Sequence, residues 1–335
     1  MPFYNGTPRL SQTGRHDGRK YCIMFRVNLW ANLAMLVTVL FWGISFISIK
    51  IAVTEVPPVT LALLRFVIAS AILWGALRLS EPGAKLEKAD RLRMLLAGAL
   101  GVTFYFYFEN SGVKLTTAAN ASLITSIVPV LSIMLDIVIY KTRVSVIQWM
   151  AIAASLVGTY LSVTANGQMD LSSDTFVGNL LVLGAMLCWA GYTLMSKSLA
   201  RYSGLALTTY QTLLGTLLLV PLSLLEREQW EFFSLTAFYH TLFLALCCSA
   251  LCYFLYMYAL QRLDVTITTL YLNVVPVVGV LCGYLLLDER VLPVQIAGGA
   301  MVILSIFLVN WEKGRSQTES AVAEVQHGLG EQQKA

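Results

Sequence analysis

Ten apolar runs divide this chain, each close to the roughly 20 residues a helix needs to cross a hydrocarbon core about 30 Å thick. They are Leu33–Val53, Thr60–Leu77, Met94–Val113, Ala118–Ile139, Gln148–Val163, Phe176–Ser196, Thr208–Leu225, Phe238–Leu260, Thr266–Leu287 and Val294–Trp311. The runs are continuous rather than alternating apolar and polar, so they predict helices and not barrel strands. Little sequence is left between them, and no extramembrane domain of any size fits. Composition agrees: 57% of the residues are apolar and 13% charged, against roughly 25% charged in ordinary soluble proteins. A soluble globule of this length could not cover its surface with so little charge. The same balance excludes a disordered chain, a coiled coil and a disulfide-stapled secreted module. The expected class is an all-α integral membrane protein of ten transmembrane helices, with the lipid bilayer as its surroundings.

The polar segments 1–32 and 312–335 are expected to be solvated tails without fixed structure. No cleavable signal is predicted, because the first run follows a long polar segment and exceeds a typical signal core. With ten spans both tails share one side. That side receives 18 of the 23 Lys and Arg residues, while Lys50, Lys114, Arg227 and Arg290 fall on the other and Arg65 within a span. Such a bias places both termini in the cytoplasm of a cell whose cytoplasmic membrane holds the chain. The net charge of +4 is then a topology signal, and no nucleic-acid partner is implied. Cys188, Cys247, Cys248, Cys252 and Cys282 all lie in apolar runs and no Cys–x–x–Cys pair occurs. These are read as small hydrophobes, with no metal site and no cofactor.

An internal repeat constrains the chain further. Trp42 recurs as Trp189, Lys50 as Lys197, Pro129 as Pro276 and Arg143 as Arg290, every pair 147 residues apart. Val128–Pro129–Val130 reappears as Val275–Pro276–Val277. The first copy is expected over 33–163 and the second over 176–311. Each holds five helices, an odd number, so the second copy enters the membrane from the opposite side. The halves are then related by a pseudo-two-fold axis in the membrane plane, an arrangement that supports alternating access.

Several of these residues resemble a known family. Phe41–Trp42–Gly43 with Lys50, Pro57–Pro58 and Leu64–Arg65–Phe66 resemble the opening of an EamA-type domain. So do Ala118 to Val130, ending Val–Pro–Val, and Leu287–Asp288–Glu289–Arg290 leading to Gln295–Ile296–Ala297–Gly298. The resemblance is to the drug/metabolite transporter superfamily and covers about Leu33 to Val309 in two copies. It implies a ten-helix secondary carrier, commonly an exporter of amino acids, other metabolites or drugs. One position departs from symmetry: Glu289 of the second copy is Thr142 in the first.

Candidate working residues follow from depth in the membrane. Pro129 and Pro276 fall near the middle of their spans, where a proline frees a carbonyl that protein or water must satisfy. They are candidate hinges beside a central cavity; ordinary kinking is the other reading. Trp42 and Trp189 sit mid-span rather than at the interfaces, so their indole N–H groups either face a cavity or pack in bulk. Phe108 and Tyr256, from the aromatic stretches Phe104–Phe108 and Tyr253–Tyr258, and Asn120 and Asn273, on the proline-bearing helices, complete the cavity candidates. Glu109 lies in the third span near its outer end, where ionised carboxylates are costly and seldom idle. It either couples transport to a proton or pairs with Arg65 or Lys50 as a structural group, and the pairing is expected first. Its counterpart in the second copy is Tyr256. Arg65 and Lys50 either bind an anionic solute or snorkel to the outer interface, and snorkelling is expected.

No Gly–Lys dipeptide occurs, so no Walker A loop supports ATP-driven transport. No His–Glu–x–x–His occurs, and His240 is the only histidine near a span, so a membrane hydrolase cannot be assembled. The expectation is a non-enzymatic secondary transporter of small metabolites, amino acids or drug-like solutes, monomeric or homodimeric. An organophosphate or nucleotide-sugar exchanger is the alternative carrier and would need Lys50, Arg65 or Lys197 in the cavity. A non-transporting membrane enzyme or receptor is the alternative class.

Overall fold

The computed structural model describes residues 17–128, 130–131, 134–135, 138, 145–163, 173–263, 271–272, 274–294, 296–301, 303–305 and 308, with side chains of the first helix described from Leu29 onward. Among the described residues there is no strand. Helix α1 spans Asp17–Ala52 and α2 Pro58–Ser80. Helix α3 is continuous through Arg91–Gly98, a π-helical stretch Ala99–Phe104 and Tyr105–Leu115. Helix α4 starts as Ala118–Ile124, α5 is Val146–Val163, α6 Asp174–Ser198 and α7 Gly204–Leu224. Helix α8 joins Leu235–Phe243, a second π-helical stretch Leu244–Leu251 and Cys252–Leu260. Helix α9 is Val274–Leu287, and Ile296–Ser305 is labelled α10. Five of these are long and apolar enough to cross a membrane: Leu29–Ala52 of α1, then α2, α6, α7 and α8. Ala118–Ile127, α9 and α10 are shorter apolar helices.

One boundary departs from the sequence expectation. The backbone is helical from Asp17, so 17–32 is not an unstructured tail. No proline interrupts the chain between Asp17 and Ala52, and an apolar helix can propagate backward over such sequence because elongation is cheaper than nucleation.

Short polar residues start the helices. The hydroxyls of Thr117, Ser173, Ser203 and Ser234 accept from the N–H groups of Asn120, Phe176, Ala206 and Ala237, satisfying donors the first helical turn leaves orphaned. Helix α2 begins at Pro57–Pro58 without a side-chain cap of its own. The Glu226 carboxylate supplies one from beyond the end of α7, accepting from Val59 N at 3.1 Å and Thr60 N at 2.8 Å. At the other end of the pair, Ser203 ahead of α7 donates to Glu81, just past α2. Between them Ser70 meets Thr216 at 3.0 Å and Thr209 donates to the Leu73 carbonyl at 3.3 Å. Helices α2 and α7, which correspond under the 147-residue spacing, therefore run antiparallel.

Two further cross-pairings, α1 with α8 and α3 with α6, are exchanged by the same 147-residue spacing. Helix α1 packs antiparallel on α8, with Trp42 near Cys248 and Ser48 near His240. Helix α3 packs antiparallel on α6, with Gly112 at Gly178 and Gly101 at Tyr192. A tight backbone-to-backbone crossing joins α3 to α7. A Cβ on Gly98 would stand 2.5 Å from the Gln211 carbonyl oxygen, and one on Gly215 would stand 2.5 Å from the Gly98 carbonyl oxygen. Only glycine permits two backbones to approach so closely.

The two π-helical stretches fall at equivalent places in the two copies. In α8 the Cys252 N–H reaches back to Cys247 instead of Cys248, and the Trp42 indole donates to the Cys248 carbonyl at 3.1 Å. In α3 the Tyr105 N–H bonds to Leu100 and Val102, and the Tyr253 hydroxyl donates to the intervening Gly101 carbonyl at 3.1 Å. Such π-bulges disturb the helical ladder and recur at functional sites. At the end of the bundle where α2 and α6 finish, Arg201 bonds to Asp90 and Glu87, and Tyr202 donates to Asp90 at 2.8 Å. The Tyr202 hydroxyl and the Arg201 guanidinium hold the Asp90 carboxyl below its usual range.

Candidate functional site

Both copies contribute to one internal chamber. Its wall comprises Trp42, Ser45 and Phe46 of α1, Arg65 of α2, Tyr105, Phe106 and Glu109 of α3, Thr125 and Val128 of the α4 segment, Met186 and Trp189 of α6, Tyr253 of α8, and Leu272 and Val275 flanking the start of α9. Six of these fourteen residues are aromatic. Trp42 and Trp189 meet edge-on with centroids 5.5 Å apart, and Tyr253 lies 6.0 Å from the first and 5.9 Å from the second. Tyr105 closes the ring at 5.2 Å from Trp189. The two indoles are equivalent under the repeat but not in their bonds. Trp42 spends its N–H on Cys248, whereas Trp189 Nε1 has no hydrogen-bond partner among the described residues.

Among the described residues two charged groups face the chamber, both from the first copy. Arg65 is 2% exposed and Glu109 4%. Arg65 does not snorkel, contrary to the sequence expectation. Its Nε donates to Ser249 at 2.9 Å and its guanidinium lies 4.5 Å from the Phe106 ring centroid, an arrangement that holds the side chain inward. Glu109 accepts from the Tyr105 hydroxyl at 2.7 Å through Oε1. The expected pairing of Glu109 with Arg65 or Lys50 is absent. Among the described residues the ion pairs within 4.0 Å are those of Arg201. Arg65 Nη1 and Glu109 Oε2 are both buried without a partner.

Lys50 lies elsewhere. Its Nζ donates to the carbonyls of Val113 at 3.0 Å, Lys114 at 3.1 Å and Thr116, so a cation sits at the negative end of α3. Glu289 does the converse for α4, accepting from Ala118 N and Ala119 N at 2.8 Å each. These two residues pin the α3–α4 corner and leave the chamber to others. Asn120 is likewise occupied: its Nδ2 donates to Thr116 Oγ1 at 3.2 Å and to Asn179 Oδ1. Phe108 faces Gly184 of α6, outside the chamber wall. Tyr256 is buried behind the indoles, 5.4 Å from Trp42 and 5.8 Å from Trp189. Pro276 is buried on α9 and lines a separate apolar groove with Leu123, Val277 and Ile296. Pro129 and Asn273 lie outside the described residues.

Ser45, Phe46 and Met186 were not among the sequence candidates, and Tyr105, Phe106 and Tyr253 entered only within the aromatic stretches Phe104–Phe108 and Tyr253–Tyr258, not as residues of the wall. One signal was present: Tyr105 and Glu109 are four apart, which places them on one helical face. Tyr253 and Phe106 were hidden, because in aromatic-rich spans no spacing separates a lining ring from a lipid-facing one.

Among the described residues the chain is a helical bundle in which the equivalent helices α2 and α7 pack antiparallel and both copies wall one chamber, an arrangement also found in membrane transporters built from inverted repeats. Residues 29–164 and 176–311 each match the EamA-like transporter family model, and the chain belongs to that family. An uncharacterized transporter of Archaeoglobus fulgidus is 29% identical over 284 residues, covering 84% of this chain and 98% of its own. A protein of Streptantibioticus cattleyicolor named a probable terminal-alkyne amino-acid exporter is 30% identical over 279 residues, covering 83% and 92% respectively. A crystal structure sharing 18% identity covers 85% of this chain and 98% of its own with a TM-score of 0.63, a likeness of fold. The relatives are transporters and not enzymes.

Proposed function

We propose that the chain is a secondary exporter of small amphipathic metabolites, amino acids among them, working by alternating access across the cell membrane. The observation that carries this reading is one chamber walled by both copies, with the equivalent helices α2 and α7 packed antiparallel. Two halves related in this way can exchange conformations, which opens the chamber first to one face and then to the other. In this reading ten helices span the bilayer, the second five-helix copy is inverted relative to the first, and both termini are cytoplasmic. The name of the Streptantibioticus relative favours export and amino acids. Glu109, the carboxylate of the chamber wall, is the coupling group if protons drive transport.

The organophosphate alternative fits the chamber less well. Lys50 is spent on the end of α3 and Lys197 is exposed, so a dianion would meet one guanidinium and a neighbouring carboxylate. The test is uptake of radiolabelled metabolites into proteoliposomes holding the full chain, with and without a pH gradient. Gradient-dependent uptake of at least one amphipathic solute is expected, and Glu109→Gln should abolish the gradient dependence. Uptake of none of the panel would overturn the exporter reading. Cysteine labelling at positions 165–175 should report the side opposite the N-terminus, and labelling on the same side would remove the inversion.

A further inference from the structure

We infer that Arg65 and Glu109 form a two-point site for a zwitterionic solute, one carrying a carboxylate and an ammonium group together. The inference rests on the carrier reading above and names the ligand chemistry of that chamber.

Each side chain is held by its own anchors and each keeps one group in reserve. Ser249 and the Phe106 ring fix the guanidinium through Nε and one face, leaving Nη1 without a partner. The Tyr105 hydroxyl fixes the carboxylate through Oε1, leaving Oε2 without one. Both side chains are more than nine-tenths buried and both line the chamber. Buried opposite charges in one cavity normally close on each other, because a buried charge without a partner is expensive. Here the anchors keep every Arg65 nitrogen more than 4.0 Å from the Glu109 oxygens. A group inserted between them must present an anion to Arg65 and a cation to Glu109. A lone anion would leave Glu109 unpaired and add repulsion, and a lone cation would do the same to Arg65. A free α-amino acid carries both signs on adjacent atoms, and a guanidinium binds a carboxylate with directed hydrogen bonds. Its side chain would then lie among Trp42, Trp189 and Tyr253. The second copy offers no equivalent: the positions 147 residues on are Thr212 and Tyr256.

The test is equilibrium binding to the full chain in lipid nanodiscs, with L-phenylalanine as the probe. The comparison ligands are phenethylamine, which lacks the carboxylate, and 3-phenylpropionate, which lacks the amine. The site requires each single-charge analogue to bind at least about tenfold more weakly than L-phenylalanine. Arg65→Gln should bring phenethylamine to within about twofold of L-phenylalanine, and Glu109→Gln should do the same for 3-phenylpropionate. Retained binding of the matching analogue shows that each variant is folded. Equal binding of all three ligands to the unaltered chain overturns the site, as does failure of L-phenylalanine to bind or a uniform loss across ligands in both variants. Proteoliposomes that transport solutes without charge preference would refute this site and leave the carrier reading standing. Proteoliposomes that transport nothing would refute the carrier reading separately.

Discussion

The two copies of this chain share a scaffold and differ in what they bring to its centre. The first supplies Arg65 and Glu109; at the corresponding places the second supplies Thr212, whose hydroxyl bonds back to Thr208 and Thr209 of its own helix, and Tyr256, packed against both indoles. Both copies keep the mid-span tryptophan and the π-helical stretch, yet the carbonyl inside that stretch is met by Trp42 in one and by Tyr253 in the other. Symmetry has been retained where helices must pack and run in opposite senses, and lost where a solute would be bound. A two-fold chamber would offer a small asymmetric solute two competing poses. Confining the charges to one copy removes that degeneracy.

The largest expected effect lies at the seam between the copies. Gly98→Leu would drive a side chain into the backbone of α7, 2.5 Å from the Gln211 carbonyl oxygen. Overpacking against atoms that cannot rotate away costs about 1–3 kcal/mol or more, so size-exclusion profiles of detergent extracts should show little folded protein. Gly75→Leu is the control, since a Cβ there meets nothing within 4 Å. It should purify like the parent chain, and equal behaviour of the two variants would break the picture of a tight seam.

Next comes the charge asymmetry itself. Arg65→Gln should lower transport by about tenfold or more, the scale of a lost charged hydrogen bond. Thr212→Ala, at the corresponding place in the second copy, should stay within about twofold in the same proteoliposome assay. Similar losses in both would mean that the copies contribute equally to recognition.

A smaller effect separates the tryptophans. Trp42→Phe removes the donor to the Cys248 carbonyl and should destabilise by about 1 kcal/mol, read as a lower melting temperature in detergent. Trp189→Phe removes no such bond and should shift melting less. The smallest effect is expected at the α2 terminus. Glu226→Gln keeps an acceptor for Thr60 N but loses the charge, worth about 0.3–1 kcal/mol at a helix N-terminus. A Glu226→Gln shift larger than that of Trp42→Phe would reverse this order.

The residues that were legible in the sequence owe it to chemistry that depends on one element at a time. An apolar run must be helical in lipid because its backbone has no other way to satisfy its hydrogen bonds, so the spans could be read along the chain. Trp42 and Trp189 stood out because indoles are uncommon at mid-span and recur at the repeat spacing. Lys50 and Arg65 looked alike for the opposite reason. Each is a long cation in an apolar helix, and nothing local distinguishes one that caps α3 from one that lies against Phe106 and Ser249. The outcome depends on which helix packs alongside. The start of α1 was misjudged because polarity speaks of solvation, while helix extension depends on the absence of a break.

Composition, hydropathy and the repeat spacing were therefore enough to determine that this chain is a duplicated helical membrane protein, and its family came from the resemblance of motifs such as Phe41–Trp42–Gly43 and Leu64–Arg65–Phe66. The wall of the chamber, the unpartnered atoms of Arg65 and Glu109 and the spending of Lys50 on a helix end were decided only in three dimensions. The physical reason is that membrane insertion sums over the residues of one helix, whereas a binding site depends on distances between side chains of several helices, fixed by close packing at positions such as Gly98 and Gly215.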